Sequence, residues 1–367
     1  TYKKELNEMI KSILTPTRNR PNNCERFIKS VYNSTRTRKN VEMLFYVDND
    51  DPAITTYKSL DWHAQKEYEG FKNIKFIYGE PKSVSISWND LAAECIGDVL
   101  IMGNDDLVYQ TDGWDEKLDQ ELNIYKDDNI YVAWMNDNIN FEKHCAFPIV
   151  SRQWYECLRR FTPGCFNFGY NDTWIFEVGK MLDRCHYIPF IKAEHLHFST
   201  GKSEMDDTYA RNRTQEKGNL YQMDQVIFNK TRATRQDDRD KLRRLIDIGK
   251  ATKLYPQIID EELKENFTFY DVKILEKEWA PAAHKLKEDP HPWQVEQYKK
   301  LCESIDKHGM KYPIIVCASD YRVLRGNQRV WYCIDNNIDM IGAYAIKDDD
   351  LDMFIQKTYI NKKDYPL

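Results

Sequence analysis

Four apolar residues, Val99-Leu100-Ile101-Met102, run into Gly103 and stop at Asn104-Asp105-Asp106. A strand without a polar position reads as buried on both faces, which happens in parallel sheets covered by helices. In open sheets of that kind, ligands gather outside the carboxyl ends of the strands. Asn104, Asp105 and Asp106 stand at such an end, and hard oxygen donors there suit a divalent cation together with a diphosphate. The competing reading is a plain turn, because Asn and Asp side chains favour turns through local hydrogen bonds.

The segments before this one alternate in period. Ser12 to Thr15 is strand-like and leads into the turn Pro16-Thr17-Arg18-Asn19-Arg20-Pro21. Cys24 to Asn33 then carries Phe27, Ile28 and Val31 at helical spacing. A second strand, Val41 to Val47, ends in Asp48-Asn49-Asp50-Asp51-Pro52, and a third runs from Ile74 to Tyr78. Ser87-Trp88-Asn89-Asp90 opens a helix that closes at Gly97. This rhythm predicts an α/β domain with a mostly parallel, doubly wound sheet. Residues 130–200 are aromatic, punctuated by Pro148, Pro163 and Pro189, and form the second half of the same domain. From Gln215 to about Tyr255 the chain is helical and highly charged, and Arg235 to Lys241 offers opposite charges at helical spacing, the pattern of a solvated connecting helix. Tyr270 to Leu275 is strand-like and begins a new unit. The expected organisation is therefore a domain over 1–230, a charged helical linker over 231–268 and a second domain over 269–367.

A length of 367 residues favours two domains, and 41% hydrophobic with 31% charged residues is the composition of a soluble globular chain. No apolar run is long enough to span a bilayer, and Thr1-Tyr2-Lys3-Lys4-Glu5 opens no apolar signal core, so no membrane contact and a cytoplasmic location are expected. Nine cysteines occur without a Cys-x-x-Cys pair, which points to reduced thiols instead of a zinc knuckle or disulfide framework. The net charge of −6 opposes unspecific nucleic-acid binding by the whole surface, although residues 230–253 carry local excess Lys and Arg.

Taken in order, the Thr15 to Pro21 turn, the acid-tipped second strand, the Asn89 helix and the Asn104-Asp105-Asp106 strand end resemble the GT-A glycosyltransferases, especially family-two-like members, over roughly residues 10–230. The resemblance implies a Rossmann-like GT-A sheet, a nucleotide-sugar donor (a UDP-sugar is the working choice) and Mn²⁺ or Mg²⁺. It assigns the base and ribose to Thr15, Arg18, Asp48 and Asp50, with Asn89 beside them. The family's Asp-x-Asp becomes Asn104-x-Asp106 here, so Asp106 is the implied direct metal ligand, while Asn104 or Asp105 meets ribose or metal-bound water. Glu194-His195-Leu196-His197 reads as a strand with both imidazoles on one face. The family often supplies a late His to the metal, a place for His197 or His195, and Lys202 could neutralise diphosphate charge; two structural histidines are the alternative. Asn171-Asp172 lies where inverting members carry their catalytic base, which makes Asp172 the candidate general base, although an Asp before a helix is also a good N-cap. Asn171 stands where the family places Glu. Among many aromatic residues, Trp134, Phe168 and Tyr170 are the ones expected near a ligand.

Residues 287–346 carry a different pattern. An Asp289-Pro290-His291-Pro292 opening, a helix around Tyr298 to Ile305, His308 to Val316, and Tyr321-Arg322-Val323-Leu324-Arg325-Gly326-Asn327-Gln328-Arg329 resemble the ParB and sulfiredoxin-like fold. That likeness implies a smaller α+β domain in which Gly326 and Arg329 bind phosphate. Asn327 replaces the usual acid and no sulfiredoxin cysteine is present, which favours a docking role. Together the two resemblances imply a metal-dependent glycosyltransferase whose acceptor hydroxyl is carried by a hydroxymethylated pyrimidine in DNA, as in viral systems, with the 230–253 helix tracking phosphates. A degenerate GT-A fold that binds nucleotide or DNA through its ParB-like domain is the alternative.

Overall fold

The computed structural model describes residues 9–203, 210, 219–253, 267–275, 292–310 and 314–346. Asp289 to His291 and Lys311 to Pro313 therefore lie outside the described residues. The chain forms two compact units, Thr1–Arg243 and Arg244–Leu367.

The first unit is built on an eight-stranded sheet of β1 (Lys11–Thr17), β2 (Val41–Asp48), β3 (Asn73–Gly79), β4 (Val99–Met102), β5 (Leu107–Tyr109), β6 (Val132–Asn136), β7 (Ile149–Ser151) and β8 (Cys185–His195). Their order is β3-β2-β1-β4-β7-β6-β8-β5. The half β3-β2-β1-β4 is parallel, whereas β7 runs antiparallel to both β4 and β6, and β5 antiparallel to β8. The sheet is thus mixed, and the parallel rhythm read from the sequence holds for its first half. Every residue of β4 is buried, as its apolar run requires.

The helices α1 (Pro21–Ser34), α2 (Ile54–Glu67), α3 (Val84–Glu94), α4 (Trp114–Leu122), α5 (Arg152–Leu158) and α6 (Asn171–Leu182) connect these strands. Helix α1 has proline in its first turn, where no amide is needed, and buries Cys24, Phe27, Ile28 and Val31 along one stripe. Phe27 meets Phe45 of β2 edge-on at 6.2 Å, and Phe45 stacks on Phe76 of β3 at 4.6 Å. Helix α3 starts earlier than Ser87, because Ser83 accepts the Ile86 amide at 3.3 Å and caps it. The buried Ser12 hydroxyl donates to Glu42, whose Oε1 takes the Ile96 amide at 2.7 Å; this fixes the approach to β4.

Two boundaries differ from the sequence reading for local reasons. Strand β8 ends at His195, so His197 is not on its face but caps the short 3-10 turn Phe198–Thr200, accepting the Ser199 amide. Helix α6 begins at Asn171 behind an N-cap at Tyr170, which places Asp172 inside the first turn and removes its reading as an N-cap.

Helices α7 (Leu220–Lys230) and α8 (Arg232–Lys253) follow. The expected solvated linker is not what α8 forms, and the unit boundary falls within it, after Arg243. Its Asp238 is wholly buried and accepts two bonds from Arg160, at 2.6 and 2.8 Å, and one from the Trp174 indole at 2.9 Å. Arg235, also buried, lies 3.1 Å from Glu177 and 3.9 Å above the Phe228 ring. Only the outer face matches the expectation, with Asp237 and Lys241 paired at 2.6 Å in solvent. Charge at helical spacing does not reveal which charges face a neighbour.

The second unit holds β9 (Phe267–Asp271), β10 (Ile314–Cys317), β11 (Val323–Arg325) and β12 (Met340–Ile346) in the order β11-β10-β12-β9, with α9 (Pro292–His308) and α10 (Asn327–Asp335). Strand β10 runs parallel to β12, and the other pairs are antiparallel. Its core gathers Leu275, Ile305, Met310, Ile314, Val330 and Ile341 among others, a small α+β domain as expected. The strand expected over Tyr270 to Leu275 stops at Asp271 and turns helical. Among the described residues, no helix is long and apolar enough to cross a membrane.

Replacing Asp238 by Ala strands Arg160 and the Trp174 indole, and urea unfolding is expected to show a loss of about 3 kcal/mol, the scale for a broken buried ion pair. Asp237→Ala on the exposed face of the same helix is expected to cost less than about 1 kcal/mol.

Candidate active site

A cleft of about 620 Å³ opens at the carboxyl ends of β1, β2 and β4 and is closed on its far side by residues 144–147, 167–173 and the start of α7. Its size suits a ligand of nucleotide-sugar dimensions. On the sheet side, Asp105 is almost fully buried. It accepts the Thr17 hydroxyl at 2.6 Å and lies 3.4 Å from the Arg20 guanidinium. Burial pushes its carboxyl up to about 6, against the pull of Arg20 and with a further push from Asp106. Arg18 bridges Asp48, at 2.6 Å, and Asp50. Asn104 makes the local turn, its Oδ1 taking the Asp105 amide at 3.0 Å, and it also lines the cleft.

Asp106 is also buried, with Oδ2 3.3 Å from His195 Nε2. Both ring nitrogens of His195 are buried without a hydrogen-bond partner among the described residues. The His195 and His197 rings are 5.0 Å apart, and His197 Nδ1 contacts the Ser199 hydroxyl at 2.6 Å. Among the described residues, no group of three acidic, histidine or cysteine side chains converges on one point. One buried carboxylate and one imidazole without a hydrogen-bond partner among the described residues fit a Mn²⁺ or Mg²⁺, which would need further oxygen donors from a diphosphate and water.

Several expected residues stand apart from the cleft lining. Thr15 is wholly buried in β1. Asn89 spends its amide on the backbone of Phe161 and Thr162, accepting at 2.8 and 2.9 Å and donating to the Thr162 carbonyl at 3.1 Å. Lys202 pairs with Glu194. Trp134 is a core residue whose indole donates to the Phe141 carbonyl at 2.9 Å. The cations that do line the cleft with Arg18 are Arg20 and Lys82, neither singled out by the sequence.

The far wall contains Asp172, Phe168 and Tyr170. Asp172 Oδ2 is 2.8 Å from His144 Nε2, and this hydrogen bond, opposed by burial and helped by the Asp172 charge, holds the imidazole above its ordinary range. Tyr170 takes a left-handed backbone at φ 63° and stands 5.1 Å from the rings of both Tyr221 and Phe228. The wholly buried Asp224 of α7 organises this wall. It accepts the amides of Asn167, Phe168 and Gly169 at 2.9, 2.7 and 2.9 Å, and the Asn167 side chain at 3.1 Å. A Cβ on Gly169 would meet the Tyr221 ring at 2.9 Å, so the loop needs glycine there. Neither His144 nor Asp224 announces itself in the sequence, since their partners lie 28 and more than 50 residues away.

With this geometry, the likeness to known proteins becomes specific. Residues 12–144 match the family model described as glycosyl transferase family 2. The matched segment covers about a third of the chain and lies within the first unit. The mixed, curled sheet of that unit is the GT-A arrangement. No curated protein matches the chain. Several solved structures resemble it. Mannosyltransferase PcManGT from Pyrobaculum calidifontis, in complex with GDP-Man and Mn²⁺, is 13% identical, with 52% of this chain and 58% of that one aligned and a TM-score of 0.42. S. aureus TarS is 9% identical over 50% and 36% of the two chains, with a TM-score of 0.40. GalNAc-T7 with UDP, GalNAc and Mn²⁺ is 14% identical over 52% and 44%, with a TM-score of 0.41. The present chain covers between 36% and 58% of the length of these proteins.

In the second unit, Gly326 starts α10 at φ 101°, and a Cβ there would meet Ile314 at 2.7 Å. The Arg329 amide bonds the Gly326 carbonyl at 2.8 Å, which closes a tight turn at the start of α10. A phosphate at Gly326 and Arg329 is still a proposal.

Asp224→Ala removes the acceptor for three backbone amides, and the first unit should lose roughly 2 kcal/mol or more, the scale for unsatisfied buried donors. Amide hydrogen exchange at Phe168 and Gly169 should accelerate together; unchanged exchange there would show that the loop holds itself without Asp224.

Proposed function

We propose that this protein is a metal-dependent glycosyltransferase that moves a sugar from a nucleotide-sugar donor to an acceptor hydroxyl. The observation that carries the reading is the cleft itself, with phosphate-compatible cations, Asp48 and the buried Asp105 at the strand ends facing a carboxylate and imidazole on the opposite wall. Arg18 and Asp48, held together, are suited to the base and ribose, and Arg20 and Lys82 to the diphosphate. Asp106 and His195 would hold Mn²⁺ or Mg²⁺, which supplies countercharge as negative charge builds on the departing diphosphate. The family assigns proton removal from the acceptor to a carboxylate at the position of Asp172, which supports that residue as general base.

The finer acceptor, a hydroxymethylated pyrimidine in DNA, rests on the resemblance of the C-terminal residues alone. The helix expected to track phosphates offers less than its sequence suggested. Arg235 is committed to Glu177, and Arg243 donates to the Leu182 carbonyl at 3.2 Å, which leaves Arg232 and Arg244 exposed. A cytoplasmic location likewise stays a proposal.

Thermal-shift measurements with UDP-glucose, UDP-N-acetylglucosamine and GDP-mannose, with and without Mn²⁺, should give at least one stabilising donor, because a ligand that binds only the folded state raises the melting temperature. Release of nucleoside diphosphate from that donor should fall about 100-fold or more in Asp106→Ala, the scale for losing a metal that stabilises a transition state. Metal-independent binding without turnover would instead identify a nucleotide-binding protein on a degenerate transferase fold. Transfer of labelled sugar to an oligonucleotide containing 5-hydroxymethylcytosine tests the DNA acceptor.

A further inference from the structure

We propose that His144 and Asp172 act as one proton-accepting unit, in which the proton of the acceptor hydroxyl comes to rest on the imidazole. This deepens the reading of the cleft as a site of glycosyl transfer and depends on it. Both side chains line the cleft, joined at 2.8 Å, and each keeps about a third of its surface open, 31% for His144 and 27% for Asp172. Asp172 sits in the first turn of α6, which fixes its place against His144. A carboxylate anion so fixed orients the imidazole and stabilises the imidazolium that forms when a proton arrives. An imidazole, with an ordinary value of about 6.5, lies closer to neutral pH than a carboxylate near about 4, and is the better matched resting place for the proton.

The surroundings of His144 support this assignment. From α6 come Asp172, Lys180 and the Phe176 ring, the last 5.5 Å away and edge-on, and from the turn after β6 comes Asp137. Lys180 opposes protonation of the ring and Asp137 favours it, but the Asp172 hydrogen bond is the largest influence. The neighbouring Cys145 is buried, and burial pushes its thiol far up, so it contributes no charge.

The step balances without any further reactant. The acceptor O–H bond breaks as its oxygen bonds to the anomeric carbon. The bond from that carbon to the diphosphate oxygen breaks, with its electron pair leaving on the diphosphate. The proton passes to the pair, giving imidazolium hydrogen-bonded to carboxylate. His144 must be neutral beforehand, so turnover should rise with pH as the imidazolium loses its proton, above the ordinary imidazole value of about 6.5. Asp172 acting alone would put that rise in the carboxylate range.

The test compares wild type, His144→Gln and Asp172→Asn by the pH dependence of nucleoside diphosphate release from a Mn²⁺-loaded sugar nucleotide, with water or an added acceptor. Wild type should show a rise centred above about 6.5, and His144→Gln a kcat lowered about 10- to 100-fold with the rise moved toward the carboxylate range, the scale of a lost general base. The KM for the sugar nucleotide should stay within about twofold, which separates this role from a structural one. Superimposable pH profiles for wild type and His144→Gln overturn the proposal. A second measurement needs no turnover: NMR titration of the His144 ring should show a midpoint that drops in Asp172→Asn, and an unmoved midpoint also overturns it. An inactive wild type that keeps this titration would fault the transferase reading and leave the pair intact.

Discussion

The site depends on one buried carboxylate. Asp105 is held almost out of solvent at the end of β4, where an isolated charge is costly, and it is tolerated there because the Thr17 hydroxyl and the Arg20 guanidinium turn toward it. Those two residues belong to the end of β1 and the turn after it, so the same contact draws that loop over the end of the neighbouring strand. Tyr57 of α2 extends the arrangement: its hydroxyl lies 2.8 Å from Thr17 and accepts the Arg20 amide at 2.9 Å. The cleft floor is therefore a network spanning β1, β4 and α2, and Arg18 emerges from it already aimed at Asp48.

What the sequence made legible is what short-range pattern encodes. The apolar run of β4 and the strand and helix alternation before it gave the parallel half of the sheet, because burial on both faces leaves a mark on every residue. The acids at the strand ends were legible for the same reason: an abrupt change from apolar to carboxylate has few other uses. The antiparallel half was not, since β7 contributes only Ile149 to Ser151, too few residues to show a period.

The site residues missed by sequence share a different cause. His144, Asp224 and Arg20 act through partners far away in the chain, and nothing in their immediate neighbours marks them. Asn89 and Trp134 show the converse error, since each looked ligand-directed from its position yet spends its polar atoms on backbone several residues or several elements away. Helix α8 is the sharpest case. Its charges read as solvated because alternation of sign is the usual mark of a free surface, and only the fold shows that Arg235 and Asp238 are the face turned inward.

The two walls of the cleft have separate origins in the chain. The matched family segment closes at residue 144, so it includes the strand ends that line the cleft and stops at the first residue of the opposite wall. The rest of that wall is supplied by 167–173 and by α7, locked together through Asp224. A protein put together in this manner has a hereditary half and an adjustable half. Exchange of the Asp224-bound loop and its helix as a cassette would reshape one wall of the cleft, while the strand-end wall stayed as it is.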